Sequence, residues 1–331
     1  MLIERLNLLL AALDSVLYPD VIRALEGAGK LLSQPEHQAD HPDPPLPAGV
    51  WPLLTLLVAQ QITPDIDTVS ASSVAVAIEC FVCAIDLLDD VIDEDQTPTL
   101  QTLGVARTLN VSTALLTLAQ QAILSLSQQG VQPLTILRLL NTLQESALVV
   151  TAGQHRDVLA EQRPAQNFTR EECIEIAAAK AGSIMRLACR LGALCAGADN
   201  VVCEQFSEFG ELLGIAHQLD NDNHDLYYLL QGGTSTIAST EAETARNIKS
   251  DLVRGKKTLP VVLAAQINGT LQNTSSSADE EKKEYLRALH EGILTTWGIC
   301  LLYRERARDR LQEIETQKPV APLLHLLLGF E

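Results

Sequence analysis

Positive charge and aromatic side chains are both scarce in this sequence of 331 residues. Phe, Trp and Tyr make up only 4% of it, and 24 Lys and Arg stand against 42 Asp and Glu, a net charge of −18. Nucleic acids and anionic membrane surfaces are bound through surfaces rich in Lys and Arg, so this balance argues against both as the main partner. An anionic substrate is still compatible with the charge if metal ions bridge it to carboxylates.

Long apolar runs are also missing. No stretch of about eighteen or more apolar residues occurs, which predicts that no helix spans a membrane. The first residues carry charges within an apolar periodicity and indicate an amphipathic helix instead of a signal peptide. The seven Cys, an odd number in mostly apolar context, predict buried thiols and a cytoplasmic location. Cys80 and Cys83 form a CxxC pair, but no second Cys or His pair stands at zinc spacing, so we interpret them as buried thiols.

Helical periodicity is what the sequence does contain. Apolar residues make up 47%, and Leu and Ala at spacings of three and four predict an all-α protein. We see no β-strand alternation and no internal repeat, so we expect a single bundle over residues 1–331. A Pro-rich loop is expected at 34–49, and mobile loops at 232–240 and 268–279. The predicted helices cover residues 1–33, 51–62, 68–92, 101–128, 133–162, 169–197, 202–231, 241–267 and 279–316, with a short apolar end at 320–330.

A first acidic cluster closes an otherwise apolar predicted helix. Its members lie three and four residues apart on one helical face. Carboxylates that face one another repel and raise each other's pKa unless cations neutralise them, and Mg²⁺ suits such a group because it takes its remaining ligands from water and phosphates. The alternative is a solvated acidic helix end, which the apolar residues before it do not favour. The cluster consists of Asp86, Asp89, Asp90 and Asp93.

A second polar cluster spans residues 214–225. Asn221 and Asp225 are four residues apart, and Gln218 lies one turn before Asp222. Two carboxylate helices that face each other across a bundle would form a clamp for metal ions and a diphosphate. The two His of this segment could instead indicate a transition metal, but neither has a partner at Glu-x-x-His spacing.

Five segments together resemble the trans-prenyl diphosphate synthases, the polyprenyl synthetase family of class I isoprenoid synthases. They occur in that family's order over residues 50–305. In sequence they correspond to the first aspartate-rich motif, a Gly-Gln…Asp helix, a Lys-Thr-Gly motif, the second aspartate-rich motif and a Gly-Lys-Lys-Thr-Leu-Pro motif. The matching segments are residues 79–95, 151–157, 179–183, 214–225 and 251–260.

The resemblance implies an all-α isoprenoid-synthase bundle with a central active-site cavity. It implies Mg²⁺ as cofactor, with three ions around the bound diphosphate, and a prenyl diphosphate as substrate. The family is commonly dimeric, so a homodimer is expected. The implied metal ligands are Asp89, Asp90, Asp93, Asn221, Asp222 and Asp225, of which the five aspartates are the implied catalytic residues. The implied diphosphate contacts are Lys180, Lys256, Lys257 and Gln218.

Departures from the family pattern concern the second substrate. The family's elongating members bind isopentenyl diphosphate through a Gly-Gly-Lys-Arg-x-Arg-Pro motif, but the matching residues 46–52 contain no cation. Val82 stands where the family has a His, and residues 95–104 lack its Arg-Arg-Gly. Each charge-assisted hydrogen bond is worth roughly 1.5–3 kcal/mol, so losing the set would weaken binding of a second diphosphate severely.

This asymmetry predicts a terpene synthase on a prenyl-synthase scaffold. An allylic diphosphate would still ionise, and an internal double bond or water would quench the cation. The second motif begins Asn221-Asp222, similar to the Asn-rich metal motif of terpene cyclases, although Leu229 stands where that motif has Glu. The alternatives are prenyl transfer to isopentenyl diphosphate, transfer to a non-standard acceptor, and a silent subunit of an active synthase.

Two residues before the first motif suggest the substrate length. In the family, the positions four and five before that motif limit the chain, and here they are Ile85 and Ala84. A small residue at 84 would leave the pocket open and favour substrates of C15 or longer. The alternative is that both residues are ordinary core positions of a buried helix.

Overall fold

The computed structural model describes residues 1–27, 30–32, 49–230, 255–271, 278–315 and 324. This part of the chain is helical and contains no β-strand, which confirms the all-α prediction. Short 3₁₀ turns at Ser125–Gln129 and Ala165–Asn167 and a π turn at Ala178–Gly182 link some of the helices. The helices are α1 (Leu2–Leu10), α2 (Tyr18–Leu25), α3 (Val50–Ile62), α4 (Thr68–Ile92), α5 (Pro98–Leu124), α6 (Pro133–Glu161), α7 (Arg170–Ala177), α8 (Ser183–Cys195), α9 (Asn200–Leu230), α10 (Leu259–Leu271) and α11 (Ala278–Glu315).

Most helix boundaries agree with the sequence prediction, and the differences have local causes. The predicted helix 1–33 is two helices, because Pro19 is tolerated only in the first turn of α2. Helix α5 begins at Pro98 instead of 101, since proline suits the first helical position and Thr97 caps it. The predicted helix 169–197 is interrupted by the π turn.

Several predicted segments lie wholly or partly outside the described residues. These include most of the Pro-rich loop 34–49, the loop 232–240 and residues 272–277 of the loop 268–279. Of the predicted helix 241–267, residues 255–258 are not helical and the described helix begins at Leu259. The prediction of a loop at 268–279 was too wide, because residues 268–271 continue the helix from Leu259 and residues 278–279 begin the helix Ala278–Glu315. The rest of the proposed loops remain predictions.

The chain divides into two compact units. Unit 1 comprises residues 1–146, 185–209 and 311–331, and unit 2 comprises residues 147–184 and 210–310. The organisation as one domain remains a prediction.

Helix α4 is the central element of unit 1. It packs against α1, α2, α3 and α5, and nearly every residue from Ser70 to Ala84 is buried. Many of these are Ala, Ser or Val, whose small side chains let neighbouring helices approach on all sides. Larger side chains such as Ile78 and Phe81 fill the remaining space, each contributing about 1.5–3 kcal/mol through burial. Glu79 lies within this apolar stretch and is fully buried.

The core of unit 2 is built from small and medium side chains of α6, α7, α9, α10 and α11. These side chains leave the helices close together, so the positions of their polar residues are determined by backbone packing. The buried members of this cluster are Ala160, Phe168, Cys173, Ala177, Ile215, Ala216, Leu219, Leu259, Val262 and Cys300.

Two segments, 68–92 and 98–129, are long and apolar enough to cross a membrane by length and composition alone. The most apolar window of the first is 83% buried within the protein, as in an ordinary core helix. Core helices of this kind pass the same test, so the expected absence of a membrane span stays a prediction.

Asp67 should stabilise α4 by capping it. Its carboxylate accepts hydrogen bonds from the Ser70 hydroxyl at 2.6 Å and from the backbone N–H groups of Ser70 and Val69 at 3.1 and 3.2 Å. Asp67→Ala should lower the free energy of unfolding by about 1 kcal/mol. The bond from Ser70 lowers the pKa of Asp67, so the stabilisation is present above the ordinary carboxyl pKa and is lost as pH falls through the folded value.

Urea unfolding at neutral and acidic pH measures both effects. Asp65→Ala is the matched control, because Asp65 is exposed and precedes the capping position. Equal losses in the two variants would contradict the capping role.

Candidate active site

Four carboxylates form a stripe along one face of α4 in unit 1. Glu79, Asp86, Asp90 and Asp93 are seven, four and three residues apart, spacings that return to the same face of a helix. Asp93 is only 2% exposed, and Asp89 lies beside the stripe. The structure therefore places the predicted first metal cluster on one face, as the sequence indicated.

Asp90 shows the electrostatic strain of this arrangement. Burial raises its pKa most, a hydrogen bond from the Thr97 hydroxyl at 3.0 Å lowers it, and Asp86, Asp95 and Asp89 raise it further. The net result is a pKa of about 7. A carboxyl in this condition gains from a nearby cation, so these residues fit a divalent ion.

Lys30 is a cation on the same stripe that sequence reasoning missed. Its ammonium forms an ion pair with Asp86, and the Lys30 side chain is only 10% exposed. Burial lowers the pKa of Lys30, but Asp86 and other α4 residues raise it more, so the net pKa is above the ordinary value. The contact is fixed because the N–H of Leu31 donates to Glu79 at 2.5 Å. A lone lysine after α2 was the only sequence signal.

In unit 2, a second cation of the predicted site, Lys180, contacts a carboxylate of α6. The ammonium of Lys180, within the π turn, donates to the Asp157 carboxylate at 2.9 Å, and both side chains are about 15% exposed. Gln154, one turn earlier on α6, has a buried amide whose oxygen and nitrogen find no hydrogen-bond partner among the described residues. A buried amide in that condition is costly and points to a polar ligand.

The second aspartate-rich motif on α9 divides into two sets of side chains. Gln218 donates to Asp222 at 3.0 Å, so these two predicted site residues meet. Two others turn toward α11 instead: Arg304 donates to Asp220 at 2.9 Å, and the Asn223 amide donates to the carbonyl of Ile293 at 3.2 Å. The second set has a packing role that sequence spacing alone could not separate.

Asn221 and Asp225 are the two further metal ligands predicted on α9. The Asn221 amide nitrogen lies 3.5 Å from the His217 ring, on the exposed side of the helix. The side chain of Asp225 lies outside the described part of the structure. The assignment of both to metal binding stays a prediction.

The two adjacent lysines at 256 and 257 differ in their surroundings. The Lys257 ammonium donates to the backbone carbonyls of Gly255 and, at 3.3 Å, of Glu161, the last residue of α6. A lysine in this position satisfies carbonyls at a helix C-terminus. The thiol of Cys173 in turn donates to the carbonyl of Lys257 at 3.4 Å. We infer that Lys257 ties this turn to α6, whereas Lys256 is partly exposed beside it.

The predicted pocket residues lie on α4 close to the acidic stripe. Ala84 is fully buried, and its carbonyl accepts a hydrogen bond from the Ser112 hydroxyl of α5 at 2.9 Å. Ile85 is partly buried. Contact with α5 agrees with an ordinary core position at 84, and the pocket role stays a prediction.

Among the described residues, no three His, Cys, Asp or Glu side chains converge closely enough to hold a metal ion by themselves.

Comparison with known proteins places the chain in a family. A sequence model of the polyprenyl synthetase family matches residues 49–293, so the chain belongs to the polyprenyl synthetase family. Geranylfarnesyl diphosphate synthase of Aeropyrum pernix is 26% identical over 291 residues, 84% of this chain and 87% of that protein. Geranylgeranyl diphosphate synthase of Mycobacterium tuberculosis is 32% identical over 203 residues, 60% of this chain and only 53% of that protein.

Solved structures share the fold at low sequence identity. A geranylgeranyl pyrophosphate synthase superposes with a TM-score of 0.76 at 20% identity, covering 100% of this chain and 97% of the other. Heptaprenyl diphosphate synthase of Staphylococcus aureus gives 0.74 at 19% identity, with 98% and 94% covered. The chain therefore has the all-α isoprenoid-synthase fold.

Asp90→Asn should stabilise the metal-free protein at neutral and higher pH. Between the ordinary carboxyl pKa of 3.8 and about 7, folded Asp90 keeps a proton that the unfolded chain releases, so wild-type stability falls as pH rises through this range. The amide of the variant cannot ionise, so it removes that penalty. Above about pH 7 the free energy of unfolding should therefore rise by about 1–3 kcal/mol, after allowance for solvent screening.

Denaturant unfolding in EDTA at about pH 5 and pH 8 tests this, because the gain should be larger at the higher pH. Asp309→Asn, at an exposed position of α11, is the control and should show no pH-dependent gain. A gain of equal size at both pH values would contradict the perturbed carboxyl.

Proposed function

We propose that this protein is a Mg²⁺-dependent prenyltransferase that joins an allylic prenyl diphosphate to isopentenyl diphosphate. The observation that carries the proposal is Lys30, a buried cation that follows α2 and pairs with Asp86, on the face of α4 that carries the predicted metal ligands Asp90 and Asp93. Family membership and the prenyl diphosphate synthases among its relatives support this function over the terpene synthase that the sequence favoured.

Two sets of residues would bind the allylic diphosphate. Asp89, Asp90 and Asp93 on α4 would hold Mg²⁺, as would Asp222 on α9, with Asn221 and Asp225 as further predicted ligands. Bound Mg²⁺ supplies the positive charge that stabilises a departing diphosphate. Lys180 would exchange its contact with Asp157 for a diphosphate oxygen, and Lys256 and Gln218 would add donors.

The acceptor half, the part of the site that would bind isopentenyl diphosphate, would use Lys30. Its ammonium has three donors, and its partner Asp86 is 50% exposed, so an incoming diphosphate can compete for the same cation. The allylic C–O bond breaks with its electron pair on the diphosphate. The acceptor double bond then forms the new C–C bond, and the cationic adduct transfers a proton to the released diphosphate.

A terpene synthase is the second candidate, favoured by the apolar surroundings of the acceptor half. Val82 is 1% exposed, and Gly49 and Trp51 begin α3 without a cation. Lys30 alone would then have to hold the second diphosphate, and an ionised allylic chain could instead react with itself or with water. A homodimer, a cytoplasmic location and a C15 or longer substrate remain predictions.

The deciding experiment uses purified protein, Mg²⁺ and C10, C15 or C20 allylic diphosphates with isotope-labelled isopentenyl diphosphate. Labelled, longer prenyl diphosphates are expected, with none formed in EDTA. Lys30→Met should reduce elongation by about a hundredfold or more, since the buried ammonium is the proposed acceptor contact. Lys283→Met, at an exposed position of α11, is the matched control and should leave elongation unchanged.

Other outcomes would identify the alternatives. Cyclic or alcohol products from allylic diphosphate alone would establish the terpene synthase. Absence of turnover with either substrate, in a protein that melts cooperatively, would support a silent subunit or a non-standard acceptor. Unchanged elongation in Lys30→Met would exclude the proposed role of that lysine.

A further inference from the structure

Two helices of unit 2 rest directly on the π turn at Ala178–Gly182. A Cβ atom built on Gly153 of α6 would lie 2.7 Å from the Cβ of Ala179. A Cβ built on Gly214 of α9 would lie 2.4 Å from the carbonyl oxygen of Ala181. Both distances are far below van der Waals contact, so any side chain larger than hydrogen at these positions must displace a helix or the turn.

The turn is imposed by packing and not by local sequence. Ala-Ala-Lys-Ala-Gly contains strong helix formers and would continue α7 as a regular α-helix in isolation. A π turn inserts a residue into the helical repeat and redirects the side chains around it. The direction of Lys180 therefore depends on the close approach of α6 and α9.

Each of the three segments carries a polar side chain of the proposed diphosphate half within about one turn of these contacts. Gln154 follows Gly153 directly, Lys180 follows Ala179, and Gln218 lies four residues after Gly214. Lys180 pairs at 2.9 Å with an α6 residue that is itself four positions after Gly153. The Gln154 amide is buried at this place and has no hydrogen-bond partner among the described residues, which indicates that the place binds a polar ligand.

We propose that Gly153 and Gly214 are positioning residues for diphosphate binding: by admitting α6 and α9 to the π turn, they hold Lys180 and Gln154 in one arrangement. The inference rests on the proposed function, because the ligand is the diphosphate of that reaction. The inference adds that the affinity for diphosphate depends on two glycines, through the helix packing that they allow.

The test moves one Cβ atom from position 179 to position 153, across the contact between these two residues. Gly153→Ala adds a Cβ against that of Ala179, whereas Gly153→Ala combined with Ala179→Gly removes the clash. The remaining contacts of the new Cβ, 3.1 and 3.3 Å to backbone atoms of the turn, need only a small shift. Ala179→Gly alone measures the cost of a glycine in the turn, about 1 kcal/mol of stability. Gly298→Ala is the control, because a Cβ there meets nothing within 4 Å.

Calorimetric titration with inorganic pyrophosphate and Mg²⁺ measures affinity without turnover. Gly153→Ala should weaken binding about tenfold or more, as loss of one charge-assisted contact would. The exchanged pair should return to within about threefold of wild type, and Gly298→Ala should match it. KM for the allylic diphosphate should rise in Gly153→Ala while KM for the acceptor stays unchanged.

Two results would overturn the inference. One is wild-type pyrophosphate affinity in folded Gly153→Ala. The other is weak pyrophosphate binding, relative to Ala179→Gly, by the folded exchanged pair, and this second result decides the matter alone if Gly153→Ala does not fold. A wild-type protein that binds no pyrophosphate would instead reject the proposed function.

Discussion

The structure depends on one constraint, the unfavourable free energy of burying charged side chains among packed helices. Helix α4 is the apolar centre of unit 1, yet Glu79, Asp86, Asp90 and Asp93 lie along one of its faces. Buried charges are unfavourable without counter-charge, and on this face the buried Lys30 ammonium pairs with the half-exposed Asp86. Asp90 has no such cation among its described contacts and keeps a raised pKa. The unbalanced end of the stripe is therefore where a divalent ion gains most.

In unit 2, two buried or partly buried lysines need partners in turn. Helix α6 supplies the partners of both: the Asp157 carboxylate for Lys180 and the carbonyl of Glu161 for Lys257. These contacts differ in kind. A carboxylate can yield its cation to a diphosphate, whereas a helix-terminal carbonyl satisfied by lysine holds a turn in place. The contacts of Lys180 and Lys257 with the same helix therefore differ in how readily a ligand could replace them.

How far the site could be predicted follows from the range of each interaction. Asp86, Asp90 and Asp93 lie on one helical face as predicted, with Asp89 beside them, because helical spacing is local. The contact between Lys30 and Asp86 joins residues 56 positions apart, and no spacing rule indicates it. The expectation of a terpene synthase was based on residues 46–52, Val82 and residues 95–104 and did not consider Lys30. It stays a prediction, and the family supports prenyl transfer better.

The sequence by itself determined the helical class, most helix boundaries and the family, because periodicity, proline position and ordered motifs are properties of short segments. Only the tertiary structure decided which residues of the second motif meet. Gln218 and Asp222 pair with each other, whereas Asp220 and Asn223 are bonded to α11. It also decided the π turn, which Ala-rich sequence does not indicate and against which Gly153 and Gly214 pack closely. Packing between distant segments overrides local preference there.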